Sequence, residues 1–353
     1  MPIFRNHTTI EIAQGLKAFL TLEVGLTRGA VPGSEQNSKQ ESRIKNKNGQ
    51  LEERIGALQT KQSEAVAGFE LGSVPARETL YLGRPFVYPH DSAIGEIIAR
   101  GGEWDSVLRT ITSEILPEEE PTICEVGGNI GASLLQMVAA KPRARVVVFE
   151  PSTRFRPFLE RNLELNGLDR VEVFPLLVGR EPGSTLLYKD STTGSVVSNT
   201  AEILDSAALP PGYEPLDEEL VEMTTLDEVF RNRGPVDFIK VDTDGFDFEV
   251  LRGAETTLKR DLPVLHFELA PHWLIKLAPS SPAEGLAWLQ SVGYKRFVCV
   301  NPAGQLVGTT DDPEQALLWA NTHTYCDVLT CPEGSASEEL LERLINILTE
   351  EVE

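Results

Sequence analysis

Acidic side chains stand at the ends of several apolar runs in this chain. Glu125 ends the run TICE just before a glycine-rich turn, and Glu150 ends the run RVVVFE. Asp242 follows the run FIKV, and Glu268 lies near the end of VLHFEL. Open α/β sheets bind ligands at the carboxyl ends of their strands. These carboxylates therefore predict a polar ligand site at one edge of a sheet.

The segment 121–137, PTICEVGGNIGASLLQM, reads as a strand, a glycine turn and a helix. Gly127, Gly128 and Gly131 lack a Cβ, so the backbone can approach a ligand closely there. The helix that follows offers free N–H groups and the positive end of its dipole, which suit a carboxylate or a phosphate. A glycine turn after a strand also occurs for packing alone, so the turn by itself leaves both interpretations open.

The acids narrow the choice of ligand. Glu150 lies 19 residues after Gly131, and a carboxylate at that distance accepts the hydroxyls of a ribose. The spacing GGNIG is not G-x-G-x-x-G, and Glu125 suits an ammonium better than a pyrophosphate. S-adenosylmethionine carries an amine, a sulfonium and a ribose, and is the expected cofactor. A nicotinamide-dependent oxidoreductase is the alternative that shares the strand, turn and second strand.

The segment 235–258, PVDFIKVDTDGFDFEVLRGAETTL, brings further charges to the same edge. Lys240 shares one side of its strand with Asp242, because side chains alternate with a period of two. The next strand carries His266 and Glu268 near its end. Lys240, Asp242 and Glu268 are therefore expected to converge. A buried ion-pair network that only holds the strand ends together is the alternative.

Six segments resemble the FkbM-type methyltransferase family, in its order, over residues 91–330: EVGGNIG, VVVFEPS, NLELNG, TTLDEVF, DFIKVDTDGFDFEVLRGA and HFELAP. The resemblance implies a seven-stranded S-adenosylmethionine-dependent fold whose last strand is antiparallel. It also implies transfer to a hydroxyl of a sugar, glycan or glycosylated natural product. The family more often has Asp at Glu125, Gly-Ala at Gly127–Gly128 and Glu at Asp244, which puts the fit around the methyl group in doubt.

The resemblance also assigns roles to individual residues. It places Glu125, Gly127, Asn129 and Gly131 at the amino-acid end of the cofactor, Glu150 at its ribose and Asp242 at the methyl-transfer position. Gly128 and Ser152 are further predicted cofactor-binding residues.

Transfer to an alcohol requires a base that removes the hydroxyl proton. Asp242 is the first candidate, Glu268 the second, and His266 or His272 the third. Lys240 would hold the base ionised or orient the acceptor. A divalent metal held by Asp242, Asp244 and Glu268 is conceivable, since hard cations take carboxylate oxygens. It is not favoured, and no metal site is predicted.

Strands and helices alternate from about residue 80 to 330, which predicts a Rossmann-like, doubly wound, mostly parallel sheet. The predicted strands are 122–126, 145–149, 171–177, 236–241, 264–269, 296–300 and 325–329, and the predicted helices are 132–140, 156–165, 246–258 and 282–292. The predicted regions are a helical extension (1–75), the methyltransferase domain (76–335) and an acidic helix or tail (336–353). The long connection 184–223 is either a lid or a solvated hairpin.

Composition excludes several classes of protein. A formal net charge of −22 over 353 residues argues against a nucleic-acid partner. The sequence has neither a membrane-spanning run nor a signal peptide, which favours a cytoplasmic enzyme without a membrane partner. The four cysteines are interpreted as reduced core thiols.

A weak heptad pattern over 44–69 predicts either a coiled coil for homo-oligomerisation or a solvated linker helix. A non-catalytic scaffold that recruits a partner through that helix is the third functional alternative.

Overall fold

The computed structural model describes residues 69–185, 187–190, 196–198, 213–215, 220–271 and 281–350. The predicted helical extension up to residue 68, with its heptad pattern, lies outside the described residues. So do His272 and most of the predicted lid.

A three-stranded antiparallel sheet opens the described part of the chain: β1 (Phe69–Leu71), β2 (Val74–Tyr81) and β3 (Arg84–Pro89). Leu82 and Gly83 both have positive φ, as the two-residue turns that match the twist of a hairpin require. The predicted domain boundary after residue 75 falls inside β2, and residues 69–71 are extended rather than helical.

Helices and strands follow in alternation. In chain order they are α1 (Ala93–Ala99), α2 (Val107–Ile115), β4 (Thr122–Val126), α3 (Ala132–Ala140), β5 (Arg145–Phe149), α4 (Arg156–Asn166), β6 (Val171–Phe174), β7 (Leu177–Val178), β8 (Gly183–Thr185), β9 (Leu187–Asp190), β10 (Val196–Ser198), β11 (Tyr213–Pro215), β12 (Val221–Thr224), α5 (Leu226–Phe230), β13 (Phe238–Val241), α6 (Asp247–Arg252), α7 (Glu255–Asp261), β14 (Val264–Leu269), α8 (Pro282–Ser291), β15 (Phe297–Val300), β16 (Leu306–Thr310), α9 (Pro313–His323), β17 (Cys326–Thr330) and α10 (Ser337–Glu350).

The main sheet has the strand order β16-β15-β17-β14-β13-β4-β5-β6. Strands β6, β5, β4, β13 and β14 are parallel, and β17 runs antiparallel to both β14 and β15. The order and the antiparallel last strand confirm the predicted Rossmann-like methyltransferase fold. The central strands are mostly apolar on both sides, as expected for a sheet that helices cover on both faces; the charged and polar exceptions include Glu125, Lys240 and His266.

The structure differs from the predicted elements in three details. The predicted strand 171–177 is two strands, β6 in the main sheet and β7, which pairs with β12 in a separate sheet. An eighth strand, β16, extends the sheet through a hairpin with β15, and its residues are half-buried without the alternation that marks a strand in sequence. The predicted helix 246–258 is two helices, α6 and α7, which separate at Gly253. A Cβ on Gly253 would lie 2.0 Å from the backbone oxygen of Gly179, so this glycine permits a close backbone contact.

The acidic carboxyl-terminal segment is a docked helix. Leu341, Leu344 and Leu348 share one buried face of α10, and this helix contacts α2. Arg343 donates to Glu114 across that contact at 2.7 Å. The apolar stripe at helical spacing therefore attaches a segment that its charge alone would leave in solvent.

The four cysteines are free and buried, as predicted. None of the helices in the described ranges is long and apolar enough to cross a membrane.

Asn162, buried on α4, ties the small sheet to the main one. Its side-chain oxygen accepts from the backbone nitrogen of Val87 at 2.7 Å. Its amide donates to the oxygens of Val87 at 2.9 Å and of Ile130 at 2.8 Å. One side chain thus joins β3 to the glycine turn.

Replacing Asn162 by Ala should therefore destabilise the protein strongly. The change leaves three buried backbone groups without partners, each worth about 1–3 kcal/mol, and we expect a loss of about 2–4 kcal/mol in urea unfolding. Asn166→Ala is the matched control, because Asn166 donates to Pro85 at a more exposed position, at 3.0 Å. An equal loss in both variants would contradict the assigned role of Asn162.

Candidate active site

A cavity of about 390 Å³ lies at the carboxyl ends of the central strands. It extends along the ends of β5, β4, β13 and β14 to the start of β17, which reaches this edge because it is antiparallel. The predicted site residues that line it are Gly127, Gly128, Asn129, Glu150, Asp242 and Glu268, with Trp104 on the wall. Residues from four separate motifs of the sequence therefore line one cavity.

Glu150 is held by the backbone around it. One carboxylate oxygen accepts from the nitrogen of Ser152 at 2.8 Å, and the other from that of Asn129 at 2.7 Å. Burial raises the pKa of Glu150 to about 7 against these hydrogen bonds. Each oxygen keeps a lone pair for a ligand hydroxyl. Ser152 does not line the cavity, and its hydroxyl accepts from the nitrogens of Arg154 and Phe155 at the start of α4.

The glycine turn is shaped by packing against protein. A Cβ on Gly127, where φ is +91°, would lie 1.9 Å from the backbone oxygen of Asp242. A Cβ on Gly128 would lie 2.5 Å from Val148, and one on Gly131 would lie 2.9 Å from Leu159. Gly127 and Gly128 still line the cavity, whereas Gly131 does not. Close strand packing, rather than a ligand, is what excludes side chains here, and the turn then exposes its backbone to the cavity.

Glu125 is fully buried beneath the cavity wall. It accepts from the hydroxyl of Ser133 at 2.6 Å, and its second oxygen has no hydrogen-bond partner. Burial raises the pKa of Glu125 to about 7, although Lys240 and Ser133 oppose that shift. Ser133, and not Glu125, lines the cavity. Glu125 can therefore affect the cavity through its hydrogen bond with Ser133 and through its charge, although its carboxylate is not exposed to the cavity.

Lys240 is surrounded by carboxylates, and only 1% of its surface is exposed. Its ammonium lies 2.9 Å from Asp242, 3.8 Å from Glu125 and 3.9 Å from Asp105. Burial alone would lower the pKa of Lys240, but the three carboxylates outweigh it and raise that pKa, so the lysine stays charged. Asp242 keeps 40% of its side chain exposed and lines the cavity. The predicted contact between Lys240 and Asp242 is therefore present.

His266 is buried beside Lys240 in the register of β13 and β14. Neither ring nitrogen has a hydrogen-bond partner, and the residue does not line the cavity. Burial and the charge of Lys240 lower the pKa of His266 to about 3. The ring is therefore neutral, and the structure does not bring it to the place where an acceptor would lose its proton.

The cavity residues that the sequence analysis missed include three polar ones near Glu268: Asp105, Tyr325 and Asp327. Asp327 is the register partner of Glu268, so an antiparallel last strand was the signal that could have placed it and Tyr325 at this edge. Asp105 precedes α2 in the left-handed region, with φ +48°. No pattern in the sequence indicates that its loop reaches Lys240.

A hydrogen-bond network holds the Asp105 loop in place. The Tyr81 hydroxyl donates to the backbone oxygen of Trp104 at 2.8 Å and accepts from Gln136 at 2.7 Å. Gln136 also donates to Glu103 at 3.2 Å. The small sheet and α3 thus fix the wall of the cavity that carries Trp104 and Asp105.

In the described part of the chain, no group of three or more His, Cys, Asp or Glu side chains is placed to hold a metal ion. The alternative of a metal between Asp242, Asp244 and Glu268 therefore finds no support in the geometry of these residues.

Comparison with known proteins identifies a family domain within the chain. Residues 125–296 match the family model of the methyltransferase FkbM domain. The chain is 24% identical over 193 residues to methyltransferase 1 of Beauveria bassiana (strain ARSEF 2860), which covers 50% of this chain and 73% of that protein. It is 29% identical over 157 residues to methyltransferase sdnD of Sordaria araneosa, over 38% of this chain and 61% of that one.

Two solved structures are similar at a lower level. Methyltransferase FkbM from Methylobacillus flagellatus KT has a TM-score of 0.39 and 17% identity, over 65% of this chain and 48% of that chain. The precorrin-6y C5,15-methyltransferase from Geobacter metallireducens GS-15 has a TM-score of 0.34 and 10% identity, over 63% of this chain and 86% of that chain.

The matched segment contains the glycine turn, the acid at the end of β5 and the acid at the end of β13. The match identifies residues 125–296 as a methyltransferase FkbM domain, and the protein is a methyltransferase.

Proposed function

We propose that the protein transfers the methyl group of S-adenosylmethionine to a hydroxyl of a sugar, a glycan or a glycosylated natural product. The observation that carries the proposal is that Glu150 and Asp242 line one cavity, on opposite sides of the glycine turn. The first can bind a ribose, and the second can act on an acceptor.

The residues present fit S-adenosylmethionine. The cavity volume of about 390 Å³ lies within the range of about 300–1,000 Å³ for small-molecule sites. Glu150 offers lone pairs to the ribose hydroxyls, and the backbone of Gly127 and Gly128 borders the cavity. The buried Glu125 and the exposed Asp242 supply negative potential, which favours a ligand that carries an amine and a sulfonium. When bound, this cofactor supplies a methyl group on a positively charged sulfur.

Asp242 has the properties of a base for the acceptor. Its carboxylate is partly exposed in the cavity and accepts a hydrogen bond from the Lys240 ammonium at 2.9 Å. With the cofactor bound, Asp242 would take the hydroxyl proton while the acceptor oxygen gains the methyl group at the expense of the cofactor's carbon–sulfur bond. The chain's main contribution is to hold the acceptor in line with that bond and close to the carboxylate.

Replacing Glu150 by Gln should weaken binding of S-adenosylhomocysteine. The change keeps the shape of the side chain but removes the charge from hydrogen bonds worth about 1.5–3 kcal/mol, so we expect the Kd in isothermal titration to rise about 10- to 100-fold. Glu160→Gln, an exposed position on α4, is the control. Thermal stabilisation of the wild type by NADH, and not by S-adenosylhomocysteine, would instead support the oxidoreductase alternative.

Asp242→Asn should separate catalysis from cofactor binding. Loss of a general base costs about 10²- to 10⁴-fold in rate, so kcat should fall by that factor with any acceptor that the wild type methylates. The Kd for S-adenosylhomocysteine should change only a few-fold. The measurement is release of S-adenosylhomocysteine under saturating substrates, with the exposed Asp169→Asn as control. A wild-type kcat in Asp242→Asn would remove this residue from the proton transfer.

A further inference from the structure

We propose that the methyl acceptor carries an ammonium group, which binds between Glu268, Asp327 and Asp105 at the end of the cavity farthest from Glu150. The inference rests on the function proposed above and names the class of acceptor: a hydroxyl-bearing amine, such as an amino sugar.

The position of this acidic end follows from the strand order. Glu150 follows β5, and the cavity then passes β4 and β13 before it reaches Glu268 on β14 and Asp327 on β17. Neighbouring strands lie about 4.8 Å apart, so Glu268 lies about 14 Å across the sheet from the ribose position. Asp242, at the transfer position, stands between the two ends. The acidic end is therefore on the acceptor side of the cavity.

This end of the cavity is rich in carboxyl groups. Asp105, Asp242, Asp244, Glu268 and Asp327 all line it. The cavity-lining residues within the described ranges include one base, Arg154, which lies toward the Glu150 end and pairs with Asp91. Lys240 reaches Asp242, Asp105 and Glu125, but no described lysine or arginine forms an ion pair with Glu268 or Asp327. The acids outnumber the cations that balance them.

Glu268 and Asp327 form the least compensated pair. They stand opposite each other in the register of β14 and β17, where like charges repel. One oxygen of Glu268 is buried without a hydrogen-bond partner. Burial, reinforced by the neighbouring carboxylates, raises the pKa of both groups well above its usual range. A cation from outside the chain would satisfy the free oxygen and relieve the repulsion.

An ammonium suits this arrangement better than a metal ion. A metal needs several oxygens within about 2.0–2.6 Å of one point, and the described residues offer no such group. An ammonium has three donors that can reach carboxylates set apart from one another. About one strand spacing, ~4.8 Å, separates Glu268 from Asp242. An amine and a hydroxyl on one sugar ring can span this distance.

The test is a calorimetric titration of the full-length protein, saturated with S-adenosylhomocysteine, at pH 7 in EDTA. The probes are D-glucosamine against D-glucose and N-acetyl-D-glucosamine, and 2-aminoethanol against ethylene glycol. We expect the amine of each set to bind at least tenfold more tightly than its neutral partners. Glu268→Gln and Asp327→Asn should each reduce that preference at least fivefold, whereas the exposed Glu333→Gln should not.

Several results would overturn the inference: equal binding of charged and neutral probes, no binding of either amine, or binding that requires added Mg²⁺. Mass spectrometry of a turnover product supports it if the methyl group is on oxygen and contradicts it if the methyl group is on the amine. S-adenosylhomocysteine binding is measured on every variant. If the wild type fails to bind it, the proposed function fails. If it binds without an amine preference, only the present inference fails.

Discussion

The buried ammonium of Lys240 balances three of the carboxylates that gather at the active edge of the sheet, those of Asp242, Glu125 and Asp105. Its ion pairs join β13 to β4 through Glu125 and to the loop before α2 through Asp105. Removing one partner of a buried ion pair typically costs about 3–5 kcal/mol, because the remaining charge is left uncompensated. The lysine therefore couples the charge of the site to the stability of the fold, and it holds Asp242 where we propose that the acceptor loses a proton.

The rest of the architecture brings those charges together. Parallel strands deliver Glu150, Asp242 and Glu268 to one edge, and the antiparallel β17 adds Asp327 from its opposite direction. The small sheet, linked by Tyr81 and Gln136, holds the Trp104–Asp105 wall against this edge. The resulting cavity has one end that we propose binds the ribose and another end rich in carboxyl groups, with the proposed base between them. One methyl donor and one cationic acceptor fit that division.

The features that could be predicted from the sequence are those that a local pattern of residues encodes. The central strands are continuous apolar runs, and each acid that follows such a run could be placed at the carboxyl edge. The half-buried β16 and the strands of residues 69–89 lack that signal. Asp105 depends on a loop that long-range hydrogen bonds hold in place, and Glu125 proved to lie under the wall because Ser133 covers it. Packing between distant segments decides which atoms face a cavity. The spacing of residues in the sequence does not contain that information.

The most direct test of this account is the free energy of unfolding of Lys240→Met, measured with urea at pH 8, alone and combined with Glu125→Gln. Lys141→Met is the control, because Lys141 is also buried but pairs with the exposed Glu118. The account predicts a loss of about 3–5 kcal/mol for Lys240→Met, a smaller loss for Lys141→Met, and partial recovery in the double variant. A Lys240→Met protein as stable as the wild type, or a double variant less stable than Lys240→Met alone, would contradict it.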